Sequence, residues 1–439
     1  MGRVVVIALL LVTGCASASP ERATGALEEG DGGVVALQVD PERELLITDL
    51  SVVEDPVRTT WDSPVGTPSR GVWTFGHLMA DMAGAQPPGQ FVLDWLREWE
   101  SDQRFAGSTA PARASIRSLI IDPWLIDSGC AAGATECELD LEQAPFRLLA
   151  IVNRLDLRDA QLSGAGGSED AHTLHAGEGR FVFGVLGPAG ERLRFTVIFE
   201  YTQPADTAAE VVAWAQRWHA LGALPWGADF NARLETVTEG FAGAGASPGS
   251  PNGSAIAQVR TNEIALVSPW ELREFRLTNQ GDLVQVPVQQ TPDFGENGTN
   301  QLRNRIRSHA SAILAGTYRV PPGQLGAAAP TPSSSTFWDA PGLATADLPA
   351  RHQFSLSTCS GCHARETGTR FLHVGTREAG VASVLSGFLT GEVVADPVTG
   401  EERTFADLDR RAEDMIAVLS ATLDTVPPRG AGMTGARPH

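Results

Sequence analysis

The stretch FVFGVLGPAGERLRFTVIFEY, residues 181–201, carries two apolar runs on either side of Gly187-Pro188-Ala189-Gly190. Such β-branched and aromatic runs, split by a glycine–proline turn, predict a hairpin of strands Phe181–Leu186 and Leu193–Tyr201. A similar run, Phe146–Val152, precedes it. Ile256–Val259, Glu271–Leu277 and Leu283–Val288 follow, and Asn279-Gln280-Gly281-Asp282 supplies the turn between the last two. Between these strands, Thr207–Leu221 predicts a helix. Thr207 and Glu210 form a capping box, Trp214 and Trp218 share a face as core residues, and Gly222 stands at the C′ position. Leu45-Leu46-Ile47 and Val52-Val53 read as strand pieces, and Phe75–Met82 and Phe91–Trp99 as helices. Leu302, Ile306 and Ile313 repeat at helical spacing. The expected fold class is α+β, a largely antiparallel sheet with flanking helices.

The whole chain of 439 residues has length for two or three domains, and its 42% apolar content is ample for a core. All 33 basic residues are arginine, which excludes Schiff-base chemistry and a Walker loop, since both need lysine. With 53 acidic residues the net charge is −20, and no basic block is present, so nucleic acid is not an expected partner. Pro321–Ser335 is rich in Pro, Ala and Ser and marks the strongest internal boundary. The layout expected is an α+β body over residues 40–320, a linker over 321–350 and a small, mainly helical unit over 351–425. A disordered tail, 426–439, completes it.

At the N-terminus Arg3 precedes an apolar run, Val4–Val12, too short for a permanent span and suited to a signal-peptide core. Val12-Thr13-Gly14-Cys15 resembles the bacterial lipobox. The resemblance implies cleavage of residues 1–14, lipidation of Cys15, and a flexible tether over residues 15–39. It also implies a place in the cell envelope, anchored to a membrane through lipid. Ala16 after the cysteine favours the outer membrane. The long middle resembles uncharacterised lipoproteins of Gram-negative bacteria in general texture, which names no function.

Four further cysteines form two pairs. Cys130 and Cys137 bracket a short Ala/Gly loop, which in an oxidising compartment predicts a local disulfide; a zinc pair is the alternative, though no histidine lies between them. Cys359-Ser360-Gly361-Cys362-His363 resembles the haem-attachment motif of c-type cytochromes. The resemblance implies one covalent haem c, with thioethers at Cys359 and Cys362 and His363 as proximal iron ligand. Two thiols three residues apart lie on one side of a helical turn, which suits the two vinyl groups.

Beyond the motif the sequence departs from the family pattern. Met415 falls on the apolar stripe of an expected helix, Phe405–Leu423, and reads as core; Met433 lies in a Gly/Pro-rich terminus. His373 is the better distal candidate, ahead of His352, with an open sixth position as the other possibility. Bis-histidine ligation implies electron transfer with a redox protein partner; an open position implies gas or peroxide chemistry. Arg365 and Arg370 are candidates for the propionates. The alternative to haem is a haem-free envelope lipoprotein in which Cys359 and Cys362 form a disulfide.

A glycine-rich stretch places His172, His175 and Glu178 at three-residue spacing, a possible metal loop for a hydrolase, though the same pattern also fits a polar surface loop. Glu200, Tyr201, Arg260, Asn262 and Glu263 are candidates to face a cleft or to form buried pairs.

Overall fold

The structure is a computed structural model that describes residues 24–25, 37–61, 71–158, 175–333 and 335–421. Cys15, His172, Met433 and the segments 1–14 and 426–439 lie outside the described residues. Within the expected tether, Thr24–Gly25 pairs with Leu37–Gln38.

An eight-stranded antiparallel sheet organises the chain. Its strands are β1 (Leu46–Ile47), β2 (Phe146–Arg154), β3 (His175–Leu186), β4 (Arg192–Pro204), β5 (Ile256–Glu263), β6 (Trp270–Leu277), β7 (Leu283–Val286) and β8 (Ala329–Thr331). Strands β1 to β7 lie side by side in the order 1-2-3-4-5-6-7, and β8 shares the outer edge of β6 with β7. The α+β class and the antiparallel sheet follow the sequence pattern. The β3–β4 hairpin turns at Gly187–Gly190, where Gly190 takes φ 76°.

Side chains alternate between the two faces of these strands, and both faces are buried. One face is aromatic: Phe181, Phe183, Phe195, Phe199, Tyr201 and Phe275 pack beneath helices α1 (Phe75–Ala83), α2 (Pro88–Arg97), α3 (Ala208–Gly222) and α4 (Ala228–Ala242). Phe75 stacks on Phe146 with ring centroids 3.7 Å apart, and Trp99 meets Phe275 at 4.7 Å. Each buried aromatic contributes roughly 1.5–3 kcal/mol relative to exposure. Trp214 and Trp218 are core, packed on Phe241.

The opposite face carries charge. Arg180 bonds Glu178 and Glu200, Arg260 bonds Glu200 and Glu274, and Arg276 bonds Glu274, so one ion-pair array crosses four strands. Helix α5 (Asn300–Ser308) lies in the chain between β7 and β8, and the C-terminal layer covers this face. It includes α6 (Leu348–Leu356), the turn α7 (Cys359–Cys362), and α8 (Asp407–Leu419), with a two-stranded ribbon, β9 (Glu392–Ala395) and β10 (Glu402–Phe405), before α8. Arg377 donates to the Leu148 and Val53 carbonyls, and Arg158 pairs with Asp414, tying the layer to the body.

Several local expectations differ from the structure. Residues 321–350, read as a linker, are built into the fold: β8 pairs with β6, and Trp338 is fully buried with its indole N–H on Thr358. Pro330 is tolerated there because an edge strand needs no donor on its outer side. Val52-Val53 is helical, not a strand, because Asp49 accepts from the Ser51 N–H and opens a helical turn. Gly222 is the last residue of α3 and not a C′ glycine; a Cβ there would fall 2.0 Å from the Glu44 carboxylate. The C-terminal helix begins at Asp407, since residues 402–405 pair with β9 instead.

Cys130 and Cys137 form a disulfide. The loop it closes is short, so the Cys130→Ser/Cys137→Ser protein is expected to lose about 2 kcal/mol. Urea unfolding measures this; a loss above about 4 kcal/mol would show that the loop supports the neighbouring core and not just itself.

Candidate functional site

The CxxCH segment is one helical turn, α7, with Thr358 as its cap accepting from the Gly361 N–H. Gly361 is required by crowding, since a Cβ would lie 2.1 Å from the Ser355 carbonyl oxygen. Cys359 and Cys362 are both buried, and both are thiols not joined in a disulfide. Cys359 packs among Trp270, Leu272, Val288 and Ala329, whereas Cys362 belongs to the main core. Burial pushes the Cys359 thiol up to about 12 and raises Cys362 as well, so both are protonated and inert in the folded chain.

His363 follows at the end of the turn. Its Nδ1 lies 2.6 Å from the Phe371 carbonyl oxygen. A carbonyl only accepts, so Nδ1 carries the hydrogen and Nε2 the lone pair. Metal-ligating histidines are oriented in this way, with the second nitrogen donating to a carbonyl or carboxylate. The ring stacks on Trp270 with centroids 5.1 Å apart, and burial pushes its pKa down to about 4. The imidazole is therefore neutral at neutral pH.

His373 is buried beside it. Its Nδ1 lies 2.9 Å from Ser386 Oγ and its Nε2 3.4 Å from Cys362 Sγ. The His363 and His373 ring centroids are 4.5 Å apart. Two imidazoles on opposite faces of one iron, each about 2 Å from the metal, place their ring centres about 6 Å apart. This placement does not seat an iron between the two rings.

Both histidines border a cavity of about 50 Å³ between the sheet and the C-terminal layer. That volume has room for a few water molecules and is well below the ~300–1,000 Å³ usual for cofactor sites. From the sheet, Val152, Val182 and Ile198 form an apolar floor. The strand register places Arg154 and Arg180 toward one end of that floor and Thr196 and Asn262 toward the other. The opposite wall adds Val374, Leu389 and Arg411. Arg154 pairs with Asp156, Arg180 with Glu178 and Glu200, and Arg411 with Asp407. Burial and the neighbouring Arg154 lower the Arg411 pKa to about 10. Each of the three guanidinium groups is thus already compensated by a carboxylate.

The remaining candidates fall elsewhere. Met415 is core, with Sδ 3.9 Å from Asn153 Nδ2. Arg365 and Arg370 are exposed and do not line the cavity. His175 and Glu178 lie on β3, not in a loop; Gly177 N–H donates to His175 Nδ1, and the Glu178 carboxylate holds Arg180. Glu200 and Arg260 are a buried pair in the ion array, and Asn262 faces the cavity. Tyr201 and Glu263 belong to the aromatic face, where burial pushes Glu263 up to about 7 against the pull of Arg273 and Arg113.

His352, Glu366 and Asp396 are the only three such side chains among the described residues whose donor atoms lie within 4.8 Å of one another. Arg351 bonds both carboxylates and Arg403 bonds Asp396, so the group is a closed ion cluster. Burial raises the Asp396 pKa, but the Thr399 and Val398 N–H groups, Arg351 and Arg403 bring it down to about 2 from an ordinary 3.8. A depressed carboxyl contributes stability that is present above its unfolded pKa and is lost as pH falls through the folded one. Between pH 5 and pH 2 the Asp396→Asn protein is therefore expected to lose stability less steeply than wild type. Parallel acid-limb curves in thermal unfolding would refute this.

Arg154, Arg180, Thr196 and Arg411 were not legible as site residues. One signal was present: charged or amide side chains fall on alternate positions of buried strands, Glu178 and Arg180 on β3 and Arg260 and Asn262 on β5. Comparison of this chain with known protein families, curated proteins and solved structures finds no match. Among the described residues, no helix is long and apolar enough to cross a membrane.

Proposed function

We propose that this is a lipid-anchored exported protein carrying one covalent haem c on the turn Cys359–Cys362. The observation that carries the reading is His363: its Nδ1 is fixed on a backbone carbonyl, and two buried thiols precede it on one helical turn. The donor set of Cys359, Cys362 and His363 suits the group, but the closed cavity of about 50 Å³ does not hold a haem. Cys359 and Cys362 would hold it by thioethers and His363 Nε2 would ligate the iron. The bound group supplies one-electron chemistry, which makes exchange with a redox protein partner the expected activity.

The donor spacing also speaks for a large group over a single ion, because Cys359, Cys362, His363 and His373 bring no three donor atoms within 4.8 Å. Both thiols are buried and protonated in the folded chain, so attachment belongs to a stage before the C-terminal layer closes. The test is a pyridine haemochrome spectrum and a haem stain after denaturing electrophoresis, on mature protein from a host with c-type maturation. Colourless, well-folded protein would sink the reading.

A further inference from the structure

The two thiols of the CxxCH turn are covered by different parts of the chain. Cys359 is closed in by the body: it packs among Trp270, Leu272, Val288 and Ala329, and its N–H donates to Thr291 Oγ1 at 3.0 Å. Ser360 donates to the Pro330 carbonyl, which ties this half of the turn to β8. Cys362 instead meets the segment that follows the turn. Its Sγ lies 3.4 Å from His373 Nε2, and the His373 ring packs on Phe388 with centroids 5.0 Å apart.

That segment is a strap. Between Phe371 and the short helix Gly387–Thr390 it has no helix and a single bridge, Val374 to Leu385. Residues 378–382 are exposed, and Val384 is 78% exposed. Polar bonds fasten its middle to the body. Buried Arg377 donates to the Leu148 and Val53 carbonyls and pairs with Glu54, whose carboxylate also accepts from the Gly380 N–H at 2.8 Å. Arg147 and Arg192 donate to the Arg377 and Thr376 carbonyls. The two ends are held independently: the Phe371 carbonyl accepts from His363 and its ring stacks on Trp270, while Phe388 and Leu389 are core. A segment with few buried apolar contacts opens locally, ahead of the core around it.

We infer that residues 372–386 open as a unit with Arg377 as their latch, and that Cys362 is thereby the thiol of the motif that a reagent reaches in the folded, haem-free chain. Cys359 stays shut behind β8 and Thr291. Resting on the haem reading, the same strap is the part that gives way to a haem, which the closed cavity of about 50 Å³ does not admit.

Iodoacetamide labelling of the mature, haem-free, thiol-reduced protein tests the strap, with the labelled cysteine located by fragmentation mass spectrometry. Cys362 is expected to label at least about tenfold faster than Cys359, because labelling follows the population of the open form. Arg377→Gln is expected to speed Cys362 by about a further tenfold and to leave Cys359 within about twofold. Glu54→Ala, which removes the side-chain partner of Arg377 and Gly380, serves the same purpose if the first variant does not fold. Equal labelling of the two thiols, or acceleration of both together, would mean opening of the whole layer and overturn the inference. Cys362 rates unmoved in both variants would overturn the part assigned to Arg377. Hydrogen exchange reads the haem part: residues 372–386 are expected to exchange faster in the haem-loaded chain than in the haem-free one. Equal exchange would overturn the strap as the part that yields to haem. Absence of a covalent haemochrome signal would instead sink the haem reading and leave the labelling result standing.

Discussion

The Cys359→Ala/Cys362→Ala protein is expected to carry no haem after denaturing electrophoresis, while Cys130→Ser/Cys137→Ser stains like wild type. The contrast follows from the placement of the two pairs. Cys130 and Cys137 are already joined in a disulfide, whereas Cys359 and Cys362 are thiols beside the cavity histidine. A thioether survives denaturation and an iron–imidazole bond does not. The single variants should each keep one thioether, with the haemochrome band moved toward that of a retained vinyl group. His363→Ala should keep the covalent colour and lose the native axial ligation. Stain that persists in the double variant would place the attachment elsewhere and end the CxxCH assignment.

The Arg260→Met protein is expected to lose about 3–5 kcal/mol of stability, because the change strands buried charge. Arg260 is fully buried, 2.8 Å from Glu200 and 3.0 Å from Glu274, and both carboxylates are fully buried too. Without the guanidinium, Glu274 keeps Arg276 and Glu200 keeps Arg180, but each carboxylate loses its deepest partner. Arg276, at the exposed end of the array, is the control: Arg276→Met is expected to cost under about 1 kcal/mol. Urea unfolding of both variants, without haem, separates the two. A loss of less than about 1 kcal/mol for Arg260→Met would mean that the buried array adds little to the stability of the sheet.

The array also explains which part of the fold was hard to read. The aromatic face of β3 and β4 carries Phe181, Phe183, Phe195 and Phe199, and its period of two is plain in the chain. The other face has the same period but alternates charge with Val182 and Ile198, a pattern that ordinarily means solvent. Here it is covered, since Arg180 and Arg260 each have a carboxylate on the neighbouring strand, and pairing across strands is invisible along the chain. The linker expectation failed for a related reason. Composition reports how easily a segment is left unpaired, not whether an edge strand waits for it, and β6 offers that edge to Ala329–Thr331.

Local chemistry was decided within the sequence: the hairpin at Gly187–Gly190, the Thr207–Glu210 capping box, the Cys130–Cys137 loop, and the turn that carries Cys359, Cys362 and His363. Each involves residues within about ten positions, where covalent geometry and nearby hydrogen bonds dominate. The cavity was decided by tertiary structure alone. Arg154, Arg180 and Asn262 on the sheet meet His363, His373 and Arg411 from residues 150 and more positions distant in several of these pairs, and only strand register and layer packing bring them to one space. Whether His373 can oppose His363 was decided there as well, because ring separation depends on how two loops pack and not on the ten residues between them.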